Sequence, residues 1–490
     1  MPTTADKLDA LAPLPTSEWD DDAVRHLLRR VGVEPSADDV EYYGGLGLDL
    51  AVDTLTHPER VPYNLVAPRW ATRDFDDLAE AAYAGDTEPM IDPESQLAEL
   101  REWWIQRIRH TRRPLEEKLT LFWHSHFATQ ADRVRSPRLV YRHNQMLREH
   151  AFDFFPVLVT AVARDPAMIR FLDLESSQLD RPNDNFAREL MELFTLGEGH
   201  YSERDIAEAA RAFTGWTVQG ERAVFNSLRH DDSEKVFMGQ RGRWNGDDII
   251  RIIFEQRRAS RFLPEKLFRY FVNPNPDPGL VAAWSDRFDE VFYSTRDWLG
   301  ELFRSQSFYA VENRQVRVKS PVEFVIGLYR QLEVEEAPAT ISALALRRMG
   351  QELFQPPDVD GWKEDTHWIN THTLLMRYHF AYFCATGTVV DGLRDRAAGP
   401  LHEAQYQPLF SARDWVTPAR YRNPEACTEA LLQRVLGRSA EPREIIHWSD
   451  YLQTASNNAR VSFDLERRMP SRRFQDASYL LLCSPEYQVC

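Results

Sequence analysis

Two histidines stand two positions apart in the segment Phe122–Phe127, which reads FWHSHF. In a continuous helix, His126 lies on the face of Phe122 and Trp123, and His124 is rotated by about 200° from it. A helix could offer only one of the two to a metal ion, whereas an extended segment would let both converge on it. We therefore treat His124 and His126 as candidate metal ligands. The alternative is a hydrogen-bonded core histidine beside a surface histidine.

A second polar group lies in residues 181–194, RPNDNFARELMELF. A helix would place Asn185, Glu189 and Glu192 on one face. Two carboxylates one turn apart can bind a metal ion or divide the roles of general acid and general base. We predict that Glu189 and Glu192 are catalytic and that Asn185 binds substrate. The alternative is an ion pair between Arg188 and Glu192 on a solvent-exposed face.

Two further motifs carry titratable groups. His200, a third candidate catalytic residue, precedes a helix that Ser202 and Asp205 would cap, where free amides favour an anion or a neutral imidazole. Capping alone would explain this motif equally well. The cluster HDDSEK, residues 230–235, suits a divalent cation, although an exposed turn produces the same composition. The candidate metal ligands in this cluster are His230, Asp231 and Asp232.

Aromatic residues with a few polar neighbours follow the paired prolines of the segment 354–370, which contains PPDVDGW and HWIN. The prolines exclude a helix there and predict a rigid turn. Aromatic surface with a few polar groups is typical of ligand pockets, but a packed aromatic turn has the same composition. Besides Asn185, the candidate substrate-binding residues are Trp216, Trp362, Trp368 and Asn370.

These motifs must be positioned by helices, because apolar residues recur every three or four positions along most of the chain. Helices are predicted at 97–108, 115–127, 139–163, 183–196, 203–213, 247–272, 279–307, 320–333, 339–354 and 374–383, with two or three more after 424. Between 216 and 246, Gly, Trp and charged residues replace this pattern and indicate an irregular loop or a small hairpin.

The predicted fold class is therefore all-α, as one large multi-helix domain. We expect a flexible tail at 1–18, a main helical domain at 19–423 that carries all the motifs, and C-terminal helices at 424–490 packed on it. Trp415, Leu431 and Val435 are apolar residues of the C-terminal region that need partners.

The charge balance excludes some classes of partner. With 59 basic and 76 acidic residues the net charge is −17, which repels nucleic acids and anionic lipid surfaces. The four cysteines lack CxxC spacing and are expected to be free thiols, as in a reducing cytosol. The first residues have no signal-peptide pattern, and no apolar stretch approaches the length of a membrane span. We therefore expect a soluble cytoplasmic protein with no nucleic-acid or membrane partner.

The motifs occur in the order FWHSHFATQ, RPNDNFARELMELFTLGEGHYSERDIAEAARAFTGW, HDDSEK with FMGQRG, KSPVEF, and PPDVDGW with HWIN. This order resembles a bacterial family known as domain of unknown function 1800, over about residues 20–490. The resemblance implies no reaction and no catalytic residue. It implies that members are often exported and often accompany a sulfatase-like partner. This chain departs from the pattern in lacking a signal sequence, and Asp184 and Phe186 stand where glutamate and tyrosine are commoner.

Three functions are compatible with these residues. The first is a metal-dependent enzyme that uses activated water, as a hydrolase does; the mixture of imidazole and carboxylate favours Zn, Mn or Fe over Ca. The second is a non-catalytic helical scaffold or partner-binding protein with buried ion-pair networks. The third is a metal-free acid/base enzyme that acts on a hydrophobic small-molecule substrate in a cavity lined by tryptophans.

The contacts of a few residues distinguish these functions. A catalytic site predicts that His126, Glu189 and Glu192 approach one another together with His230 or Asp231. The five candidate metal ligands and three candidate catalytic residues together exceed one coordination shell, so several would lie outside it. In the scaffold, arginines pair with acidic residues. Those arginines are Arg181, Arg188, Arg204 and Arg211, and their partners are Asp184, Glu192, Glu208 and Asp205.

Overall fold

A computed structural model of the chain describes residues 10–72, 92–394, 407–454 and 458–490. Within these ranges the fold is mostly α-helical, as predicted, with 23 α-helices. They are α1 (Asp21–Val31), α2 (Ala37–Leu46), α3 (Leu48–Thr56), α4 (Arg69–Thr72), α5 (Pro93–His110), α6 (Pro114–His126), α7 (Ala131–Val134), α8 (Pro137–Glu149), α9 (Phe155–Ala163), α10 (Pro166–Phe171), α11 (Asn185–Glu189), α12 (Glu203–Ala212), α13 (Gly246–Phe254), α14 (Ala259–Phe271), α15 (Pro278–Glu290), α16 (Thr295–Leu302), α17 (Gln306–Tyr309), α18 (Pro321–Gln331), α19 (Ala339–Arg348), α20 (Thr371–Thr386), α21 (Pro424–Leu436), α22 (Pro442–Gln453) and α23 (Arg468–Leu482). A π-helix, Leu190–Thr195, continues α11.

Four short strands form two antiparallel hairpins within the predicted irregular segment. The strands are β1 (Trp216–Gln219), β2 (Arg222–Phe225), β3 (Lys235–Phe237) and β4 (Gln240–Gly242). β1 pairs with β2, and Trp216 lies opposite Phe225. β3 pairs with β4, and Lys235 lies opposite Gly242. The prediction of an irregular loop or a small hairpin near 216–246 is confirmed, and the segment contains two hairpins.

The chain forms two compact units. The described residues of Met1–Pro15, Leu48–Ala310 and Leu353–Lys363 form the first unit, and those of Thr16–Gly47, Val311–Glu352 and Glu364–Cys490 form the second. The first unit contains α3 to α17, the π-helix and all four strands. The second contains α1, α2 and α18 to α23.

Most of the predicted helices are confirmed, but three of them are interrupted by turns. Residues 139–163 form α8 and α9, residues 247–272 form α13 and α14, and residues 279–307 extend from α15 into α17. The turn between α8 and α9 contains Phe152, which is buried, and α9 starts at the buried Phe155. Because apolar residues continue through such a turn, periodicity alone does not reveal the break.

Glu117 of α6 is the centre of a buried ion-pair network in the first unit. Arg148 of α8 donates two hydrogen bonds to its carboxylate, at 2.8 and 3.0 Å, and Arg107 of α5 donates another. The indole of Trp104 donates to the same carboxylate at 3.0 Å. Burial opposes ionisation, but the two arginines outweigh it and lower the pKa of Glu117. Removing one partner of such a pair typically costs about 3–5 kcal/mol, so the network holds α6 against α5 and α8.

A similar buried network lies in the second unit, around Glu34. Its carboxylate accepts a hydrogen bond from Arg29 at 2.6 Å and pairs with Lys319 at 3.2 Å. Burial opposes ionisation, but these cations lower the pKa of Glu34 to about 2. Arg377 of α20 donates to the carbonyl of Lys319 at 2.6 Å, which ties a third part of the chain to the network.

Two residues of the predicted N-terminal tail are held to the first unit. The amide of Leu14 donates to the carbonyl of Arg304 at 2.7 Å, and the amide of Gln306 donates to the carbonyl of Ala12 at 2.8 Å. Residues 1–9 of that tail lie outside the described residues.

The predicted rigid turn around the paired prolines packs on the C-terminal end of α6, within the first unit. The amide of Trp362 donates to the hydroxyl of Ser125 at 3.0 Å. Gly361 has φ +78°, and a Cβ added to it would overlap the carbonyl oxygen of Ser125. Only glycine combines this backbone conformation with so close an approach. The turn is therefore fixed to the helix that carries both candidate histidines.

We expect Gly361→Ala to destabilise the protein by more than about 2 kcal/mol, because the added methyl group must displace backbone as well as adopt a strained φ. Gly239→Ala is the matched control, since Gly239 has φ +80° but nothing within 4 Å of its built Cβ. Urea unfolding of the two variants separates the cost of the steric overlap, which only Gly361→Ala has, from the cost of the strained φ, which both have. Equal losses of stability in both would contradict the close packing of the turn on α6.

Candidate functional site

The two histidines of α6 point into different surroundings. The helix continues through Trp123 and ends at His126, so the two rings cannot converge on one ligand. The extended segment that would let His124 and His126 converge on one metal ion does not form, because the helix rotates the two rings by about 200° from each other. Metal binding by either histidine alone stays a prediction. The alternative of one core and one surface histidine is wrong as well, since both rings are buried.

His124 lies in a box of aromatic rings. Its ring centroid is 5.3 Å from that of Trp104, 5.6 Å from Phe354 and 5.4 Å from Trp362. Neither ring nitrogen has a hydrogen-bond partner among the described residues. Burial, with a smaller effect of His143, lowers the pKa of His124 to about 3, so the ring is neutral.

His126 is held in one tautomer. Its Nε2 lies 3.0 Å from the carbonyl oxygen of Phe194. A carbonyl only accepts, so Nε2 carries the hydrogen and Nδ1 keeps its lone pair. The Nζ atom of Lys266 lies 3.4 Å from this Nδ1. Burial, reinforced by Lys266, lowers the pKa of His126 well below its ordinary value.

The π-helix supplies the carbonyls that these two side chains contact. The amides of Leu196 and Gly197 both donate to the carbonyl of Met191, so the carbonyls of the last turn remain available. Lys266 donates to that of Leu193 at 3.2 Å, and His126 donates to that of Phe194. A helix C-terminus stabilises positive charge, so this arrangement also caps the π-helix.

The π-helix changes the predicted arrangement of carboxylates. α11 ends at Glu189, and Glu192 lies within the π-helix, where each turn contains more residues than in an α-helix. The α-helical spacing predicted for Asn185 and Glu189 is therefore confirmed, whereas the α-helical spacing predicted from Glu189 to Glu192 is wrong. The two carboxylates nevertheless remain within electrostatic range of each other.

Lys266 is half-buried on α14. Its ammonium lies 4.8 Å from the ring centroid of Phe262 and donates to His126 and to the carbonyl of Leu193. Within the described ranges, no ion pair involves Lys266. Burial lowers the pKa of Lys266 to about 8, with Asp360 as the opposing influence.

Three carboxylates are linked by charge interactions, and one of them, Asp360, acts on this lysine. Burial raises the pKa of Glu189. The charges of Glu192 and Asp360 raise it further, and Arg188 opposes this shift. Asp360 is exposed on the turn that Gly361 fixes to α6. We name the three carboxylates, the lysine, the histidine that it contacts and one tyrosine the Lys266 cluster. Its members are Lys266, His126, Glu189, Glu192, Tyr201 and Asp360.

Tyr201 and Glu192 form a hydrogen-bonded pair within the cluster. The Tyr201 hydroxyl donates to Glu192 at 2.7 Å, and burial together with this bond raises the pKa of Tyr201. The predicted ion pair of Arg188 with Glu192 is wrong, because Arg188 pairs with Asp184 and Glu203, each at 3.0 Å. Glu189 makes no side-chain hydrogen bond or ion pair within the described parts of the chain.

The HDDSEK cluster has contacts that explain it structurally. Asp231 accepts from Arg211 at 2.7 Å and from the hydroxyl of Ser233. Burial raises the pKa of Asp231, but these hydrogen bonds outweigh it and hold the value at about 2. The Nδ1 of His230 contacts the carbonyl of Thr214 at 3.0 Å. The predicted approach of His230 or Asp231 to His126 is not seen among these contacts.

The remaining candidates are distributed over both units. Asp232 is exposed and lies 3.5 Å from Arg243. His200 and Asn185 are exposed, and no side-chain contact of either is seen in the described structure. Trp216 lines a cavity of about 250 Å³ between Phe213 and Asn245.

The two candidates of the HWIN motif lie in the second unit. Asn370 caps α20 by accepting from the amides of His372 and Thr373, which accounts for its side chain. Trp368 is buried, and its carbonyl accepts from the hydroxyl of Thr373 at 2.8 Å. Trp362 belongs to the first unit, where it packs on His124.

In the described residues, no three His, Cys, Asp or Glu side chains are gathered so that they could hold a metal ion. Both nitrogens of His126 are engaged by Phe194 and Lys266. The predicted divalent metal stays a prediction, which elemental analysis of protein purified without chelator can check.

Sequence reasoning missed Lys266, although a signal for it exists. In the helical pattern Lys266 stands four residues after Phe262 and four before Tyr270, on an apolar stripe. A single cation on such a stripe indicates either a buried partner or a functional amine. The contact with His126 shows which side chain it meets.

Comparisons with known proteins identify the family and nothing narrower. The family model described as "Protein of unknown function (DUF1800)" matches residues 26–489. No curated protein and no solved structure matches the chain significantly. No helix of the described ranges is both long enough and apolar enough to cross a membrane.

The lowered pKa of Lys266 can be measured by competitive acetylation, since acetic anhydride reacts with the neutral amine. We expect a midpoint near pH 8 in the folded protein. In urea the midpoint should return to about 10.4. Peptide mass spectrometry with an isotopic reagent gives both values, and equal midpoints would contradict the burial of the charge.

The same shift predicts a pH-dependent stability. The folded pKa of Lys266 lies below the unfolded one, so between about pH 8 and 10.4 the unfolded state binds more protons. The free energy of unfolding contributed by this group therefore rises with pH across that window. The Lys266→Met variant should lack this rise relative to wild type in urea unfolding.

Proposed function

The chain belongs to the family described as Protein of unknown function (DUF1800), and from the Lys266 cluster we propose that it is an enzyme that performs acid–base chemistry on a small-molecule substrate. The observation that carries this proposal is the contact of the Lys266 amine with the lone pair of His126 Nδ1 at 3.4 Å, with no ion pair from that amine to any carboxylate of the described residues. Perturbed titratable groups that lie together are typical of catalytic sites.

The groups of the cluster divide into a proton acceptor and a proton donor. Because burial lowers the pKa of Lys266 to about 8, part of the amine is neutral near pH 7 and can accept a proton. Burial, Glu192 and Asp360 raise the pKa of Glu189, so this carboxyl holds a proton more readily than usual. An acid and a base therefore coexist in one cluster.

The π-helix gives this proposal a second line of support. π-helical turns are rare and occur frequently at functional sites. Here the π-helix presents the Leu193 and Phe194 carbonyls that orient Lys266 and His126. It also carries Glu192, which Tyr201 holds by a hydrogen bond.

A non-catalytic scaffold is the second candidate function. It is favoured by the ion pairs of the first unit, in which Arg211 binds Glu208 and Asp231, each at 2.7 Å. In that function Lys266 and His126 only cap the C-terminal end of the π-helix. The sulfatase-like partner implied by the resemblance would then be a ligand of such a scaffold.

We also propose a cytoplasmic location and no nucleic-acid partner. The support is that all four cysteines are free, three of them buried, as expected of a protein that remains in a reducing compartment. The net charge of −17, which repels phosphate backbones, supports the proposal that nucleic acid is not a partner.

A panel of esters, amides, phosphate esters, glycosides and carbonyl compounds, with product detection by mass spectrometry, tests the catalytic proposal. We expect turnover of at least one class, and a loss of about a hundredfold or more in Lys266→Met and Glu189→Gln. Lys235→Met is the control, because Lys235 is a buried lysine outside the Lys266 cluster and donates to the carbonyls of Asp231 and Ser233.

The control separates catalysis from folding. Lys235→Met should lose stability in thermal unfolding but keep turnover per folded molecule. Turnover that survives in both Lys266→Met and Glu189→Gln would remove the Lys266 cluster from the reaction. Absence of turnover across the panel, with wild-type stability in Glu189→Gln, would favour the scaffold.

A further inference from the structure

We propose that Lys266 is a nucleophile that forms an imine with an aldehyde or ketone substrate, and that this substrate is neutral or cationic. This inference rests on the proposed function, because it assigns a substrate class to the same cluster. The observation behind it is the geometry of the amine: two of its contacts accept hydrogen bonds, and no carboxylate in the described part of the chain forms an ion pair with it.

The two contacts determine where the lone pair of the neutral amine points. His126 Nδ1 and the Leu193 carbonyl both accept from Nζ, at 3.4 and 3.2 Å. A neutral amine has two hydrogens, and when both are held by these acceptors its lone pair occupies the remaining tetrahedral position. His126 is thus a positioning residue, since its tautomer is fixed by the carbonyl of Phe194.

The protonation state of the amine permits the reaction near neutral pH. A lysine that forms ion pairs stays an ammonium and has no lone pair to donate. With a pKa of about 8, roughly a tenth of Lys266 is neutral at pH 7. Desolvation against Phe262 is the kind of environment that activates lysine amines.

The step balances with groups of the cluster. The Nζ lone pair attacks the carbonyl carbon, and the carbonyl oxygen takes a proton to give a carbinolamine. A second proton, supplied by the carboxyl of Glu189, converts the hydroxyl into leaving water as the C=N bond forms. Nitrogen loses both of its hydrogens as protons, one to the carbonyl oxygen and one back to Glu189, so one neutral imine and one water result.

Electrostatics select the substrate charge. The charges of Glu192 and Asp360 raise the pKa of Glu189, and the charge of Asp360 also raises that of Lys266. Asp360 is therefore the carboxylate whose charge acts on the partly neutral amine, and Glu192 adds negative charge near Glu189. An anionic substrate such as a keto acid would be repelled, whereas a neutral or cationic carbonyl compound would not.

The structural alternative is that Lys266 is only a cap for the π-helix. Arginine at this position keeps the positive charge and can donate to the same carbonyl of Leu193, but it stays protonated and forms no imine. The Lys266→Arg variant therefore separates the two roles.

The experiment incubates the folded protein with propanal, reduces it with borohydride, and maps adducts by peptide mass spectrometry. We expect occupancy at Lys266 to exceed that at the exposed Lys363 by about tenfold or more, because the amine has a lowered pKa and a held orientation. Pyruvate, an anionic carbonyl compound, should give less adduct than propanal at equal concentration. His126→Phe should reduce occupancy while leaving that of Lys363 unchanged.

The outcomes distinguish this inference from the proposed function. Occupancy of Lys266 no higher than that of Lys363 overturns the inference, and full turnover of the substrate panel by Lys266→Arg does so as well. If trapping fails while turnover still requires Lys266, acid–base catalysis stands without the imine. If trapping is selective but no panel compound turns over, the nucleophilic lysine stands and the proposed enzyme fails. Greater labelling by pyruvate than by propanal would overturn the assigned substrate charge.

Discussion

The close approach of Gly361 to the end of α6 is the contact on which the candidate site depends. The Ser125 carbonyl occupies the space where a Cβ of Gly361 would lie, and the Ser125 hydroxyl accepts from the next amide. This contact places Asp360 in electrostatic range of Lys266 and packs Trp362 on His124. A turn displaced by one side chain would remove both effects. The backbone of one glycine thus links the aromatic box to the Lys266 cluster.

The sequence predicted the elements better than the contacts. Helical periodicity located most helices, because one apolar face per helix is a local property. The capping box of Ser202 and Asp205 was also predictable, since its partners are three residues apart. The directions of the His124 and His126 rings depended on whether α6 extends to His126. Periodicity did not settle this point, and the structure shows that the helix does extend that far. The resemblance identified the family correctly from the order of its motifs.

The π-helix and Lys266 could not be derived in the same way. A π-turn differs from an α-turn by one residue per hydrogen bond, and the sequence of Leu190–Thr195 has no residue type that requires it. Lys266 meets His126 across 140 residues of chain, so its partner is a tertiary property. The HDDSEK cluster was predicted as a metal site because its residue types are those of metal ligands. In the structure, Asp231 instead accepts hydrogen bonds from Arg211 and from the local backbone.

The charges of the Lys266 cluster are arranged so that its acid and its amine do not neutralise each other. An ion pair between Glu189 and Lys266 would lower the pKa of the carboxyl and raise that of the amine. Both shifts go the other way, because burial acts on each group and Glu192 and Asp360 add repulsion at Glu189. Such an arrangement stabilises the fold less than an ion pair would, whereas Arg107 and Arg148 show that this chain can form buried pairs. Through Asp360, which acts on both groups, the cluster therefore links a carboxyl group that can donate a proton with an amine that can accept one, and carbonyl chemistry requires both properties.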